Sequence, residues 1–186
     1  MAISSRALRQ RARKIKLLLM DVDGVLTDGS IYYLPQDVEG SSGRLIETKG
    51  FHSRDGLGIR IAHEAGLKTG LISGRTSPLV AYRAKELGIH FVQLDALEKL
   101  GPYEKVLHAA NRRDEEVCYV GDDIVDLPIL KRVGLAVGVG NGHTFLRRHV
   151  HYWTRQPGGY GAVRETIELI LDAQGKLRDV FKSYLK

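Results

Sequence analysis

The hydrophobic pattern of the chain alternates short apolar runs with longer amphipathic stretches. The first apolar run, Leu17–Met20, leads directly into Asp21. A continuous apolar run of this kind is typical of a strand buried on both faces of a parallel sheet. Further strands are predicted at 68–73, 90–94, 117–121 and 135–139, and helices at 51–66, 77–88, 100–110, 125–133 and 162–173. The pattern therefore predicts an α/β fold, a doubly wound, Rossmann-like parallel sheet with helices on both faces.

One predicted element interrupts this alternation. Segments 30–34 and 44–48 are short and rich in Ile, Tyr and Thr, and the polar stretch 35–43 between them is full of turn-forming residues. This predicts a β-hairpin with a long tip, inserted after the first strand within residues 28–50. The hairpin is expected to cover the crevice at the strand ends or to contact another chain. No large cap domain is visible, so a single domain is expected over residues 1–186.

The net charge of +6 is concentrated at the N-terminus. Segment 1–16 supplies six positive residues before the first acid, and the remaining Lys and Arg residues balance the acids. The six are Arg6, Arg9, Arg11, Arg13, Lys14 and Lys16. The body of the protein is therefore neutral, and the basic segment is interpreted as a solvated N-terminal helix rather than a nucleic-acid-binding arm.

The apolar and cysteine content indicates where the protein works. The run Leu17–Met20 is shorter than the roughly 7 to 15 residues of a signal peptide, and no run approaches the length of a membrane span. The single cysteine, Cys118, can form no internal disulfide. A cytoplasmic protein without a membrane partner is expected. The charged tail, 174–186, is expected to be mobile.

Polar residues follow four of the predicted strands. Asp21 and Asp23 follow the first, Ser73, Gly74 and Arg75 the second and Lys99 the third, and Asp122, Asp123 and Asp126 follow the strand 117–121. In a parallel sheet these carboxyl ends gather along one edge. Carboxylates from two strand ends make a hard oxygen site that favours Mg²⁺. A hydroxyl, an ammonium and helix N-termini nearby suit a phosphate group.

Each of these signals has a simpler interpretation when taken alone. The D-x-D pattern of Asp21 and Asp23 also fits a capped turn beside a solvated acid. Arg54 and Arg75 are candidates to bind a substrate carboxylate in bidentate geometry, but each is also compatible with a surface ion pair.

Four motifs in order, each at a predicted strand end, resemble those of the haloacid dehalogenase-like phosphotransferases: D-x-D, a Ser or Thr, a Lys, and a late G-D-D. The resemblance implies that Asp21 is a nucleophile forming an aspartyl-phosphate and that Asp23 is the general acid and base. Ser73 and Lys99 would hold the phosphoryl oxygens. The metal would be held by the Asp21 carboxylate, the backbone carbonyl of Asp23 and Asp122.

A narrower resemblance extends over residues 17–177. The segments D-V-D-G-V-L-T-D-G, F-H-S-R-D-G-L-G-I, I-S-G-R, V-G-D-D and G-G-Y-G-A-V-R-E together are similar to the 3-deoxy-D-manno-octulosonate 8-phosphate phosphatase group. This implies a Mg²⁺-dependent phosphomonoesterase that acts on a sugar-acid phosphate in lipopolysaccharide biosynthesis. It also implies a capless homotetramer whose hairpins meet at the centre, with segment 155–161 or the tail 174–186 reaching the neighbouring site.

Two alternatives stay open, and a third, phosphomutase activity, is disfavoured because no large cap is visible. The substrate could be a related nonulosonate 9-phosphate, because the hairpin tip is long and Glu98 stands before Lys99 where the group more often has asparagine. The domain could instead be a non-catalytic, phosphatase-like oligomerisation module. A phosphomutase would need a substantial cap to shield the aspartyl-phosphate from water.

Overall fold

The computed structural model describes residues 4–35 and 45–185. Its strands are β1 (Leu17–Met20), β2 (Tyr32–Pro35), β3 (Leu45–Thr48), β4 (Lys68–Ile72), β5 (Phe91–Gln93), β6 (Val117–Gly121), β7 (Leu135–Gly138) and β8 (Tyr152–Trp153). Six of them form a parallel sheet in the order β5-β4-β1-β6-β7-β8, and β2 pairs with β3 as a separate antiparallel hairpin. The predicted fold class is confirmed.

Helices cover both faces of the sheet. They are α1 (Ser5–Lys14), α2 (Ser53–Glu64), α3 (Pro78–Leu87), α4 (Leu100–Ala110), α5 (Leu127–Leu130), α6 (Ala162–Ala173) and α7 (Leu177–Ser183). Leu18 and Met20 of β1 join the core beneath α1, α2, α3 and α6, whereas Leu17 and Leu19 join the core beneath α4 and α5. None of the helices within 4–35 and 45–185 is long and apolar enough to cross a bilayer.

Local sequence signals place several element boundaries correctly. Ser77 is the N-cap of α3, Pro78 is its first residue, and Gly88 ends it with a φ of 67°. A left-handed residue satisfies the last helical carbonyls, and glycine adopts this conformation without steric cost. The bounds of α4 and α6 also match the predicted 100–110 and 162–173.

The region after β6 differs from the prediction. The single helix predicted over 125–133 is wrong, because the structure has a 3₁₀ turn at Ile124–Asp126 followed by the short α5. Pro128 has no N–H to donate to a preceding carbonyl, so it fits only in the first turn of a helix. The edge strand β8 was not predicted, because two residues are too few to show a periodicity.

The C-terminal tail forms α7 rather than the expected mobile segment. Leu177 and Val180 pack against the core formed by α1, α2, α3 and α6. Lys176 Nζ donates to the carbonyl of Ala65 at 2.7 Å, and Tyr184 OH lies 3.3 Å from Glu64 Oε1. These contacts place the tail on α2 of its own chain.

The basic N-terminal segment forms α1, as predicted, but its charge is only partly solvated. Arg13 Nε donates to the carbonyl of Ala173 at 2.9 Å, and Arg11 Nη1 donates to that of Gly134 at 2.8 Å. Arg9 Nη1 lies 3.6 Å from Asp172 Oδ2. Cations at the C-terminal end of a helix bind its unpaired carbonyls and oppose its dipole. Arg9 and Arg13 therefore stabilise the end of α6, whereas Arg11 binds the loop before β7.

The start of α6 is held by a side chain from another helix. Its N-cap, Gly161, has no side chain to offer, and Asp55 of α2 takes this role. Asp55 Oδ2 accepts the N–H of Gly161 at 3.0 Å, and Oδ1 accepts that of Arg164 at 2.8 Å. Asp55 is fully buried, and its burial raises its pKa despite these hydrogen bonds.

This cap fixes a glycine turn against the loop that follows β1. A Cβ on Gly158 would lie 1.7 Å from the carbonyl oxygen of Gly24, and one on Gly159 would lie 2.3 Å from the N of Asp28. Only glycine permits this backbone approach. Asp55 thus links α2, α6 and the loop at the end of β1.

We expect Asp55→Ala to destabilise the protein, because it leaves the buried N–H of Gly161 without an acceptor. Such a loss costs about 1–3 kcal/mol, and each kcal/mol lowers Tm by roughly 2–4 °C in a chain of this size. Differential scanning calorimetry measures the shift. Asp55→Asn keeps one acceptor oxygen and should lose less, whereas the exposed Asp179→Ala should stay within about 0.5 kcal/mol of wild type. An unchanged Tm for Asp55→Ala would contradict this role.

Candidate active site

The site lies where the chain changes direction in the sheet. From β1 the chain runs to β4 and β5 on one side and later to β6 and β7 on the other. Open α/β sheets bind ligands at such a switch point, outside the carboxyl ends of the strands. Met20 pairs with Leu71 of β4 and with Val120 of β6. The residues that follow these three strands are therefore neighbours, as the sequence predicted.

Lys99 connects two of the acids. It directly precedes α4, and its Nζ lies 2.9 Å from Asp21 Oδ1 and 2.7 Å from Asp126 Oδ1. Its side chain is almost fully buried. Burial alone would lower the pKa of Lys99, but the carboxylates of Asp126 and Asp21 outweigh it and raise the pKa. Lys99 therefore stays an ammonium beside Asp21.

Three carboxylates meet at this point. Asp21, Asp122 and Asp126 each offer an oxygen within 4.8 Å of the others. Burial raises the pKa of Asp21 to about 6, although Lys99 opposes it. Burial, together with repulsion from Asp21 and Asp126, raises the pKa of Asp122 to about 8. One ammonium does not neutralise this cluster, so it favours a divalent cation.

Asp126 positions its neighbours rather than facing the open site. Its Oδ1 accepts from Lys99 and, at 2.8 Å, from Tyr119 OH. Its Oδ2 accepts the backbone N–H groups of Asp122 at 2.9 Å and Asp123 at 3.2 Å. The sequence grouped Asp126 with the site but did not reveal this role. Its position four residues after Asp122 was the only available signal.

The remaining oxygen donors fit a hard metal ion. With Asp126 engaged, the Asp21 and Asp122 carboxylates and the backbone carbonyl of Asp23 remain as candidate ligands. A Cβ on Gly24 would lie only 2.2 Å from Asp122 Oδ2, so a glycine is needed for this carboxylate to approach the loop. An all-oxygen set is the chemistry that Mg²⁺ prefers.

Ser73 occupies the end of β4, as predicted. It is almost fully buried, and its backbone is held by Gln93 and Ala96, each at 2.9 Å. Its Oγ accepts the N–H of Arg75 at 3.3 Å. Gly74 lies between them, and a Cβ there would contact Leu97 at an ordinary 3.5 Å. Steric contacts alone therefore do not explain glycine at 74.

Asp23 has a partner that the sequence did not indicate. Its Oδ1 lies 2.6 Å from Nζ of Lys49, whose side chain has no exposed surface. Lys49 follows β3, the second strand of the hairpin. The hairpin stem thus reaches the second acid of the D-x-D pair. Lys49 was missed because no local pattern marks a lysine that folds back on a carboxylate.

The two candidate substrate-binding arginines have different surroundings. Arg75 pairs with Glu47 of β3 at 2.8 Å and lies 3.4 Å from Tyr33 OH. Arg54 lines an open cleft of about 490 Å³ together with Arg155, Tyr160 and Arg164, among others. A role for Arg54, Arg75 and Gly74 in substrate binding stays a prediction.

Comparisons with known proteins identify the class. Residues 57–134 match the haloacid dehalogenase-like hydrolases, which agrees with a parallel sheet that carries an aspartate-rich site after β1. The chain is 43% identical over 168 residues to 3-deoxy-D-manno-octulosonate 8-phosphate phosphatase KdsC of Yersinia pestis, covering 90% of this chain and 86% of that relative. It therefore belongs to the 3-deoxy-D-manno-octulosonate 8-phosphate phosphatase family.

Solved structures agree with this family. A probable YrbI family phosphatase of Pseudomonas syringae has a TM-score of 0.89 at 43% identity, covering 98% of this chain and 99% of that one. The 3-deoxy-D-manno-octulosonate 8-phosphate phosphatase of Moraxella catarrhalis has a TM-score of 0.88 at 37% identity, covering 98% and 100%. The latter was crystallised with a magnesium ion, a phosphate ion and a KDO molecule.

We expect Mg²⁺ to stabilise the protein more at about pH 8.5 than at about pH 6, because protons compete with the cation for the acids. The folded-state pKa values of Asp21 and Asp122 are raised. The metal-free protein should therefore lose stability as pH rises from about 4 through about 8. Scanning calorimetry with and without Mg²⁺ measures both effects.

The control is the neighbouring acid. Asp122→Asn should lose most of the Mg²⁺-dependent rise in Tm and flatten the pH dependence of the metal-free protein. Asp123→Asn, at an exposed position beside it, should keep both. An equal Mg²⁺ effect at the two pH values, or in Asp122→Asn, would exclude this cluster as the metal site.

Proposed function

We propose that the protein is a Mg²⁺-dependent phosphatase that hydrolyses a sugar-acid phosphate, with 3-deoxy-D-manno-octulosonate 8-phosphate as the substrate. The observation that carries this is the contact of Lys99 with Asp21 at 2.9 Å inside a cluster of carboxylates. It places a cation beside a candidate nucleophile at the switch point of the sheet. The names of the relatives support the substrate.

Asp21 is proposed as the nucleophile. One of its carboxylate oxygens attacks phosphorus, and the bond between phosphorus and the ester oxygen breaks. Asp23 gives its proton to the leaving alkoxide. Asp23 then takes a proton from water, which attacks phosphorus and breaks the bond to Asp21, so that inorganic phosphate and the free carboxylate result.

The other residues position the phosphoryl group. Lys99 and Ser73 lie after neighbouring strands and are buried, so their ammonium and hydroxyl are held in fixed directions. Phosphoryl transfer depends mainly on positioning and on neutralising charge that spreads over the oxygens. Asp21, Asp122 and the carbonyl of Asp23 would hold Mg²⁺, which supplies further neutralisation when bound.

The alternatives lead to different behaviour. A nonulosonate 9-phosphate would use the same chemistry with a longer leaving group, and Arg54 and Arg75 would then bind a carboxylate one carbon further away. A non-catalytic oligomerisation module would not need a buried lysine that contacts two buried carboxylates. Burying these charges lowers the stability of the fold unless a ligand binds there. We also propose a cytoplasmic role in lipopolysaccharide biosynthesis, which agrees with the proposed substrate and with the single cysteine.

A substrate panel tests the proposal. We expect hydrolysis of 3-deoxy-D-manno-octulosonate 8-phosphate with Mg²⁺ at a higher kcat/KM than that of a nonulosonate 9-phosphate or common hexose phosphates, and no turnover with chelator. Phosphate release is measured. Asp21→Asn should reduce turnover to background with an unchanged circular dichroism spectrum, because an amide is a poor nucleophile.

Two results would overturn the proposal. Failure of every substrate with folded, Mg²⁺-loaded protein would favour the oligomerisation module. Turnover of Asp21→Asn at the wild-type rate would remove Asp21 as the nucleophile. A preference for the nonulosonate phosphate would keep the reaction and replace the substrate.

We also propose that the protein assembles as a homotetramer through its hairpins. On β2 and β3, Tyr32, Tyr33, Leu34, Leu45 and Ile46 are each 45–60% exposed. An isolated two-stranded ribbon is marginally stable, and exposed apolar strands favour association. The tip at 36–44 lies outside the described residues. The tail and segment 155–161 make contacts within their own chain: α7 packs on α2, and Tyr160 OH lies 3.3 Å from Asp28. The proposed assembly therefore depends on the hairpin alone.

Charges placed on the hairpin should dissociate the tetramer. We expect Leu34→Lys with Leu45→Lys to give monomers or dimers in light scattering, because burying two ammonium groups costs more than the apolar contact returns. Leu185→Lys, at an exposed position in the C-terminal tail, should keep the tetramer. A wild-type monomer that is fully active at assay concentration would contradict the proposed assembly.

A further inference from the structure

The hairpin stem brings a buried lysine to the proposed general acid. Lys49 has no exposed side-chain surface, and its Nζ lies 2.6 Å from Asp23 Oδ1 and 3.4 Å from Glu47 Oε1. Asp23 is itself only 21% exposed at the side chain. A lysine this deeply buried is stable only if its charge is paired. Lys49 and Asp23 therefore fix each other in place.

The pair belongs to a network that crosses from the hairpin to β4. Glu47 of β3 contacts Lys49 through Oε1 and Arg75 through Oε2, the latter at 2.8 Å. Tyr33 of β2 completes the contact with Arg75. While Asp23 is ionised, before it takes up the proton that it later delivers, two acids and two bases balance one another in this network. The hairpin thus carries both the lysine and a second acid that pairs with it.

The two aspartates of the D-x-D pair have different lysine partners. Asp21 faces Lys99 and the acidic cluster, whereas Asp23 faces Lys49. Each carboxylate has its own buried lysine, one from the start of α4 and one from the end of the hairpin. A general acid must present its proton to the leaving oxygen in a defined direction, because small displacements lower the rate of transfer.

We propose that Lys49 is a positioning residue for Asp23, and that through it the hairpin stem orients the general acid toward the leaving alcohol. This inference rests on the proposed function and extends it to a residue outside the aspartate, serine and lysine set of the site. Lys49 itself makes no bond to the reacting atoms. Lys49 affects the reaction rate only by orienting Asp23. The size of this effect therefore depends on how strongly the leaving group needs a proton.

Two substrates with different leaving groups distinguish a positioning role of Lys49 from a general structural role. Sugar phosphates release an alkoxide that needs the proton of Asp23, whereas p-nitrophenyl phosphate releases a phenolate that leaves without one. For Lys49→Met we expect kcat/KM to fall about 10- to 100-fold with the sugar-acid phosphate, because a well-placed general acid contributes about 10²- to 10⁴-fold. For p-nitrophenyl phosphate we expect kcat/KM to stay within about threefold. Its kcat should fall, because Asp23 also activates water in the second step.

A double-mutant cycle tests whether Lys49 acts through Asp23. In an Asp23→Asn background, Lys49→Met should cost little further kcat/KM with the sugar-acid phosphate, because the group that Lys49 positions is gone. Lys105→Met, on the exposed face of α4, is the matched control and should match wild type with both substrates. If Lys49→Met does not fold, Lys49→Gln, which keeps an N–H donor, takes its place in every comparison.

Each other outcome overturns the inference. Equal losses of kcat/KM with both leaving groups would make Lys49 a structural residue only. A rise in KM for the sugar-acid phosphate with unchanged kcat would make it a substrate ligand. Additive losses in the double mutant would show that Lys49 acts independently of Asp23. If wild type hydrolyses no phosphate ester, the proposed function fails instead.

Discussion

The site depends on the ion pairs of Lys99. A buried ammonium between two buried carboxylates is tolerated only when all three groups are held at short distance, since each buried charge costs several kcal/mol without its partners. Lys99 meets this requirement by reaching Asp21 after β1 and Asp126 after β6. Asp126 then holds the backbone of Asp122 through its second oxygen. Because Lys99 itself follows β5, this one lysine sets the relative positions of the segments that follow β1, β5 and β6.

Most of the fold was predictable because its signals are local. Buried parallel strands are continuous apolar runs, and Ser77, Pro78 and Gly88 mark the ends of α3 through backbone preferences that no distant contact changes. Prediction failed where a segment takes its structure from its neighbours. The two residues of β8 are a strand only because β7 lies beside them, and α7 is held by contacts with α2 and the core that no pattern in a charged tail indicates.

The same distinction applies to the site. Asp21, Ser73, Lys99 and Asp122 were predictable because each follows a strand, and parallel strands align their carboxyl ends. Lys49 could not be found in this way, because its approach to Asp23 depends on how the hairpin folds back over the sheet. Asp55 lies in the first turn of α2, but its carboxylate caps α6, more than a hundred residues later in the chain. Tertiary contacts of this kind leave no periodic trace in the sequence.

The contact between Gly158 and Gly24 also sets an order of events during folding. The loop that carries Asp23 touches a turn that enters the chain only near its end, and α6 must be present for Asp55 to hold that turn. A ribosome that has released β1, β4 and β6 has produced the strands of the candidate site but not the glycine turn that packs against the loop after β1. In the nascent chain, the loop after β1 therefore gains this packing contact only after the strands of the sheet have been synthesised.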